Sequence, residues 1–483
     1  MTGELSFGDY LKKTGEVGYV SQVQHWVVQV EGLPGAGLGE MVVFEQGQPG
    51  QVTALSASAV EVVVLSRESV VVGKRVARTG QMLKIPVGDT VLGKTVDAMG
   101  RGMAGGQPKP VDVMPAGIVG RKKIARQLET GIMIVDMMIP VGKGQRELLL
   151  GDRKTGKSFL LWHIMLAQAR RGSVCVYAAI GKKRTEIIKV KDFFTKTGIS
   201  DRTVVVATTS DDSAGEIYLC PYTAMTVAEY FRDQGKDVLL VLDDMSTHAK
   251  FYRELSLISK KFPGRDSYPG DIFHIHSKLL ERGGNFELKL SSGETVEAAI
   301  TVLPVVDTVQ GDVTGYIQTN LMSMTDGHIY FDSDLFFRGR RPAINPFISV
   351  TRVGHQTQTA LAKDAGRVLF DLLANYEKTQ GFLRFGAELG ENSRQILAMG
   401  DRVLAYFDQP VFSLVPINLQ LVGLAMLLSG MWDGRNITAV IEKYSSQGEF
   451  AKTVDGVAQS STSFPQLMEE IRKQSQILTA GVS

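Results

Sequence analysis

The apolar positions along the chain change their period twice. Over residues 17–72 they come in short runs. Val20, Gln22, Gln24, Trp26, Val28 and Val30 share one face of an expected strand. Turn signals follow at Gly32-Leu33-Pro34-Gly35 and at Gln48-Pro49-Gly50, and residues 60–65 are a second β-like run. Short strands at close spacing predict a small barrel or sandwich. Over residues 73–354, apolar runs at 147–150, 174–180, 203–207 and 238–242 alternate with amphipathic helical stretches. That alternation predicts a parallel sheet covered by helices on both faces. Residues 102–115 are rich in Gly and Pro and read as a surface loop. From about residue 356 the spacing becomes helical. Leu361, Ala365, Val368, Leu369, Leu372 and Leu373 form one set, and Ile396, Leu397, Met399, Val403 and Leu404 another. A helical bundle is expected there. The resulting division is a small barrel or sandwich over residues 1–76, an α/β domain over 77–355 and an α-helical domain over 356–483.

Composition narrows the function classes. The 53 Lys and Arg nearly balance the 51 Asp and Glu, leaving a net charge of +2. That balance argues against a dedicated nucleic-acid binder, which neutralises phosphates with excess cations. Cys175 and Cys220 lie in apolar strand-like or loop settings without metal-ligand spacing, and no disulfide framework is indicated. The seven histidines have no metal spacing either; His274 and His276 alternate in a strand-like run. Residues 1–17 do not read as a signal or transit peptide. The apolar stretch 419–432 is too short to span a bilayer and is expected to be a buried helix. Any membrane link is therefore expected through partners.

The chemistry concentrates at Gly151-Asp152-Arg153-Lys154-Thr155-Gly156-Lys157-Ser158, which fits G-x-x-x-x-G-K-S/T. Its glycines let the backbone curl so that successive N–H groups face an anion. Lys157 is expected to reach the β and γ phosphates of a nucleotide, and Ser158 to place its hydroxyl on Mg²⁺. The motif follows the apolar run 148–150 and opens a helical pattern, the context that the mechanism requires. A second apolar run, 238–242, ends in Asp243-Asp244. A carboxylate at the end of such a strand can hold magnesium, usually through water; the plainer alternative is a solvated turn aspartate.

These strings resemble the F-type ATP synthase alpha subunit, of the ATPase alpha/beta chains family. The resemblance runs through Pro140-Val141-Gly142-Lys143-Gly144-Gln145-Arg146-Glu147, the phosphate loop, Asp243-Asp244-Met245-Ser246 and residues 252–282. It continues through Arg341-Pro342-Ala343-Ile344-Asn345 and Ser349-Val350-Thr351-Arg352-Val353-Gly354. It covers nearly the whole chain from about Gly18. It implies a multidomain α/β protein: an N-terminal six-stranded β-barrel, a central RecA-like P-loop NTPase domain with a parallel sheet, and a C-terminal α-helical domain. It further implies ATP or ADP with Mg²⁺ as ligands. The implied assembly is an alpha3beta3 ring with beta and gamma subunits, in contact with delta and the peripheral stalk. The implied location is the cytoplasmic face of a bacterial plasma membrane, or an organelle, where ion flow drives ATP synthesis.

The same resemblance sorts the residues by role. Hydrolysis needs a group that positions the attacking water. The beta subunit uses a Glu where the alpha family usually has Gln; here Gly181-Lys182-Lys183-Arg184-Thr185 stands in that place. A charged Lys182 cannot accept a proton, although it can hold a phosphate oxygen. The plainer alternative for Lys182-Lys183-Arg184 is a solvated basic helix start, and Glu186 is a rival base. Arg352 corresponds to an arginine finger acting on the neighbouring beta site, with Ser349 supporting it or serving as a strand residue. Arg341, Pro342 and Gln409 correspond to the adenine pocket. Pro410-Val411 departs from a second glutamine there, and Gln318 from a usual proline. The leading helix of the family is shortened; Leu5, Phe7, Tyr10 and Leu11 are expected to form one amphipathic turn or to pack on the barrel.

Two other classes compete. One is a self-sufficient hexameric RecA-like motor of the secretion-export kind, which requires a catalytic Glu near Lys182. The other is a Rho-like nucleic-acid motor, which requires aromatics and a basic groove in residues 1–72, where Trp26 and Phe44 are isolated.

Overall fold

The computed structural model describes residues 6–384 and 390–479. Its first strands are β1 (Val17–Gln24), β2 (Val27–Glu31), β3 (Glu40–Phe44), β4 (Pro49–Leu55), β5 (Val60–Val64) and β6 (Arg75–Met82), closed into a barrel in the order β1-β2-β5-β4-β3-β6. Alternating valines fill it: Val20, Val28, Val30, Val42, Val52, Val62 and Val76 point inward around Phe44. The face expected to be one long strand is a hairpin. His25, at φ 54°, turns the chain, so Trp26 lies between β1 and β2 rather than on a strand. Ahead of the barrel, the helix Phe7–Thr14 is longer than the single turn expected. A reciprocal cap between Ser6 and Asp9 starts it, and the Arg75 guanidinium lies over the Phe7 ring. Leu5 falls outside the described residues.

The later strands are β7 (Lys84–Val87), β8 (Thr95–Val96), β9 (Gln107–Pro110), β10 (Glu147–Asp152), β11 (Val174–Lys182), β12 (Thr203–Thr209), β13 (Val238–Asp243), β14 (Gly284–Lys289), β15 (Thr295–Thr308), β16 (Gly327–Phe331) and β17 (Val350–Thr351). Packing divides the chain into two units. The first contains residues 1–122, 172–307 and 313–325, and the second residues 123–171, 308–312 and 326–483.

In the first unit, β8, β12, β11, β13 and β15 form a parallel sheet in that order, with β14 antiparallel on β15. Every residue of β13 is buried, as expected of a strand covered on both faces. Three local expectations change here. The Gly/Pro-rich loop contains β9, which pairs with β7. His274 and His276 lie in the helix Ile272–Leu280, not in a strand, and His276 packs on His248 at 3.1 Å. Cys220 lies inside the helix Ala214–Arg232; both cysteines are free and buried.

In the second unit, β10 pairs with β16 in parallel and β17 antiparallel with β16. The helices Ala360–Arg384, Glu391–Tyr406 and Ile417–Leu428 begin the C-terminal helical part. Leu361, Ala365, Leu369 and Leu373 are buried as their spacing predicts, whereas Val368 is exposed. Residues 419–427 are all buried, because this apolar helix forms the centre of the bundle. No helix among the described residues is long and apolar enough to cross a membrane.

Asp136 ties the start of this unit to its helical part. Its carboxylate accepts from the Thr130 N–H (2.8 Å) and hydroxyl (2.7 Å), from the Gly131 N–H (2.9 Å) and from the Gln420 amide (2.9 Å). Burial pushes its pKa up to about 6, against the pull of the Thr130 and Gln420 donors. A raised folded-state pKa contributes stability that is full below the ordinary aspartate value and lost as pH rises through about 6. The shift corresponds to about 3 kcal/mol across that window. Asp136→Asn should therefore flatten the rise in urea sensitivity across that window; an unchanged slope of midpoint against pH would contradict the assignment.

Candidate functional site

The phosphate loop is built within the second unit. Strand β10 delivers Gly151 and Asp152, and the helix Lys157–Arg170 begins at once after the turn. Gly156, at φ 101°, makes the reversal that an L side chain would strain. Lys157 is 7% exposed and acts as a hook: its Nζ donates to the carbonyls of Gly151 and Asp152, each at 2.6 Å. The Thr155 hydroxyl donates to the same Asp152 carbonyl at 2.8 Å. Ser158 is exposed at the helix start. The N-terminal N–H groups of that helix favour an anion.

Asp152 anchors the loop from outside the motif's glycine–lysine logic. Its carboxylate accepts from the Thr308 hydroxyl (2.5 Å), the Gly311 N–H (3.0 Å) and the Ser333 hydroxyl (2.8 Å). Burial raises its pKa, but these donors and the Lys157 charge outweigh burial and leave it below the usual aspartate value. Sequence reasoning assigned this residue to nucleotide contact; its side chain instead holds the loop to three neighbours.

A second cluster forms in the first unit at the ends of β11 and β13. The pairing of β11 with β12 slips between Ala179 and Lys182, and Gly181 lies at φ 59°. Such a bulge re-aims the residue that follows it. The Lys182 ammonium meets Asp243 at 2.6 Å and Asp244 at 3.1 Å. The Tyr177 hydroxyl donates to the other Asp243 oxygen at 2.5 Å, and the Thr247 N–H to the other Asp244 oxygen at 2.6 Å. Burial alone pulls the Lys182 pKa down; the two carboxylates outweigh it and hold the ammonium above the ordinary lysine value. Lys182 and Asp243, predicted separately to face phosphate and metal, thus bond to each other. Glu186 is exposed in the first turn of the helix Arg184–Lys196.

The remaining predicted residues share the second unit. The Arg341 guanidinium lies 3.8 Å from the centre of the Phe336 ring and donates to the Phe336 and Arg340 carbonyls. The Arg341–Pro342 bond is cis. The Gln409 N–H donates to the Arg341 carbonyl at 2.9 Å, which brings these two predictions together. The Gln409 side chain, however, is engaged at both ends: it accepts from the Met133 N–H and donates to the Gly131 and Ser413 carbonyls. Two aromatics escaped sequence reasoning. Phe159, directly after the loop and 55% exposed, faces Phe412 with ring centres 6.2 Å apart. Its position at the loop's helix was the available signal. Ser349 is a staple, donating to the Asn345 carbonyl (2.6 Å) and accepting from the Tyr330 N–H (2.9 Å). Arg352 is exposed, and its N–H is fixed to the Asp326 carbonyl at 2.9 Å. Gly354 admits no side chain, since a Cβ would come within 1.6 Å of the Pro140 carbonyl oxygen.

Comparison with known proteins matches the sequence to one family. The sequence model for the nucleotide-binding domain of the ATP synthase alpha/beta family covers residues 131–351, and that for the C-terminal domain of its chains covers residues 358–480. The chain belongs to the ATP synthase alpha/beta family. Its relatives include the ATP synthase subunit alpha of Clostridium acetobutylicum, 39% identical over 417 residues, spanning 85% of this chain and 82% of the relative. The subunit alpha of Caldanaerobacter subterraneus subsp. tengcongensis is 40% identical over 429 residues, 87% of this chain and 84% of the relative. That of Anaplasma phagocytophilum is 39% identical over 435 residues, 86% and 84%. Family membership identifies the central α/β part as a nucleotide-binding domain, between the N-terminal barrel and the C-terminal helical domain. At Gln318, where the resemblance leads one to expect a proline, the side-chain amide donates to the Asp307 carbonyl at 2.7 Å.

Because Asp152 holds the loop through three donors, Asp152→Ala should cost about 1–3 kcal/mol of stability, the penalty for stranding such donors. The depressed pKa adds a sign: the contribution is present above the ordinary aspartate value and lost as pH falls through the folded-state value. Urea midpoints that stay level between wild type and Asp152→Ala at neutral pH would contradict the anchor.

Proposed function

We propose that this chain is the alpha subunit of a rotary F-type ATP synthase, the protein named in its relatives, and that its own nucleotide site binds without turning over. The subunit works in an alpha3beta3 ring with beta and gamma subunits, attached to delta and the peripheral stalk. It is peripheral to the cytoplasmic face of a bacterial membrane and reaches that membrane only through the complex. The ring makes or hydrolyses ATP as ions flow.

The observation that carries the binding-only reading is Lys182. Where hydrolysis needs a group to polarise water, this chain has an ammonium bonded to two carboxylates. Such a group has no lone pair with which to accept a proton. The loop residues 151–158 grip the polyphosphate of ATP or ADP, with Lys157 leaving its two carbonyls for the phosphates. Arg341, Pro342, Gln409 and the Phe159–Phe412 pair bound the base; Gln409 does so through the backbone that it ties together.

The magnesium expected with the nucleotide meets a mixed fit. Ser158 offers an exposed hydroxyl at the helix start and suits the ion, which would screen the phosphate charge. Asp243 does not fit, since both of its oxygens already accept from protein donors. Among the described residues no cluster of three acidic, histidine or cysteine side chains is suited to a metal.

Arg352 serves the neighbouring site. It is exposed at the end of a segment held by Ser349, Thr351 and Gly354, and its permanently charged, planar guanidinium suits a γ-phosphate. The Rho-like reading loses support from the barrel, where Phe44 is buried in the core instead of offering a stacking face. The self-sufficient motor would need Glu186 as its base.

In a complex reconstituted with its beta and gamma partners, Arg352→Ala should leave ATP binding by this chain intact. It should lower multi-site turnover by about 10³-fold or more. Turnover within a few-fold of wild type would remove Arg352 from the transition state.

A further inference from the structure

The segment that presents Arg352 is tied to a buried acid outside the phosphate loop. Glu147, the first residue of β10, is completely buried. It lies against Gly327, its register partner on β16; a Cβ on Gly327 would come within 2.6 and 2.9 Å of the two carboxyl oxygens. One of those oxygens accepts from the Gln145 amide at 2.7 Å, and among the described residues no donor reaches the other. A buried polar atom without a partner costs stability, so packing alone does not favour an acid at this position.

Gln145 carries the connection onward. Its side-chain carbonyl accepts from the Gly142 N–H at 2.7 Å, which fixes the orientation of the amide. One amide hydrogen then goes to Glu147 and the other to the Thr351 hydroxyl oxygen at 3.1 Å. That oxygen also accepts from the Gly354 N–H at 3.0 Å, and the hydroxyl donates to the Pro140 carbonyl at 2.9 Å. A hydroxyl offers one donor and two acceptor sites, so Thr351 is fully committed. The bonds thus run from Glu147 through Gln145 to the residue that precedes Arg352. Arg352 itself is fixed by its N–H on the Asp326 carbonyl, and the Asp326 carboxylate is gripped by Arg146 at 2.9 Å. All of these residues belong to the second unit.

Burial holds the Glu147 carboxyl well above the usual glutamate range. The Gln145 hydrogen bond and the Arg352 charge pull it down, the Asp326 charge pushes it up, and burial prevails. A neutral carboxyl accepts from Gln145 without drawing the guanidinium into an ion pair. We propose that Glu147 is a positioning residue for Arg352, acting through Gln145 and Thr351 as a hydrogen-bond acceptor and not as an anion. This rests on the arginine-finger reading above and deepens it. A braced network suits that task, because moving a reacting group by about 1 Å can cost about 10²-fold in rate.

The test uses the complex reconstituted with its beta and gamma partners. Glu147→Ala takes the acceptor from Gln145 and should lower multi-site kcat about tenfold or more, with KM for ATP within about threefold of wild type. Glu147→Gln keeps the acceptor without a charge and should rescue kcat to within about threefold of wild type. Thr351→Val breaks the network at its other end and should match the kcat loss of Glu147→Ala, which keeps the proposal open to test if that variant does not fold. Added to Arg352→Ala, Glu147→Ala should cause no further loss, because both act through one group. Full turnover in Glu147→Ala or Thr351→Val would overturn the positioning role. A Glu147→Gln variant as slow as Glu147→Ala would overturn the neutral acceptor, and a further loss on top of Arg352→Ala would show Glu147 acting elsewhere. Turnover near wild type in Arg352→Ala alone would instead remove the arginine-finger reading on which the proposal rests.

Discussion

One ion cluster organises the ends of β11 and β13: Lys182 between Asp243 and Asp244. Charges buried this deeply are tolerated only when paired and hydrogen-bonded, and removing one partner of such a pair typically costs about 3–5 kcal/mol. Two adjacent carboxylates at a strand end would repel each other if left alone. They require a cation, and the chain supplies it covalently. The same bonds hold the Lys182 ammonium charged, so one interaction sets the electrostatics of the strand ends.

The phosphate loop follows a matching logic of prior arrangement. Lys157 holds the carbonyls of Gly151 and Asp152, and Asp152 holds Thr308, Gly311 and Ser333, so the turn is fixed by bonds on either side of it. The Asp152 bonds need not break when Lys157 turns to an anion, so the loop they order loses less entropy on binding. The segment from Ser349 to Gly354 is braced in the same way, by the Ser349 and Thr351 hydroxyls and by the close approach of Gly354 to Pro140. Bracing leaves the Arg352 backbone fixed, with its N–H on the Asp326 carbonyl.

Much of this was legible in the residue pattern, and the parts that were not share a cause. The barrel, the parallel sheet and the helical C-terminal part follow from changes in apolar period, which report burial directly. The strand–loop–helix around residues 151–158 follows from glycine and lysine spacing. The errors arise where one residue breaks a period. His25 reverses the chain inside an apparent strand, and the alternating His274 and His276 sit on a helix whose core contacts are Ile272, His276, Leu279 and Leu280. Side-chain pairing was the least legible. Nothing in the spacing of Lys182, Tyr177 and Asp243 reveals that β11 and β13 set them side by side. The anchor role of Asp152 likewise depends on Thr308 and Ser333, both more than 150 positions away.

The function proposed for this chain, gripping nucleotide without chemistry, separates two events that accompany each other in a motor. The most direct measurement is a single-turnover experiment on the isolated full-length chain with γ-labelled ATP, following bound nucleotide and released phosphate in the same samples. The account predicts retained, intact ATP and no phosphate release above the uncatalysed background. Steady phosphate release by the chain alone would contradict it and return the chemistry to this subunit.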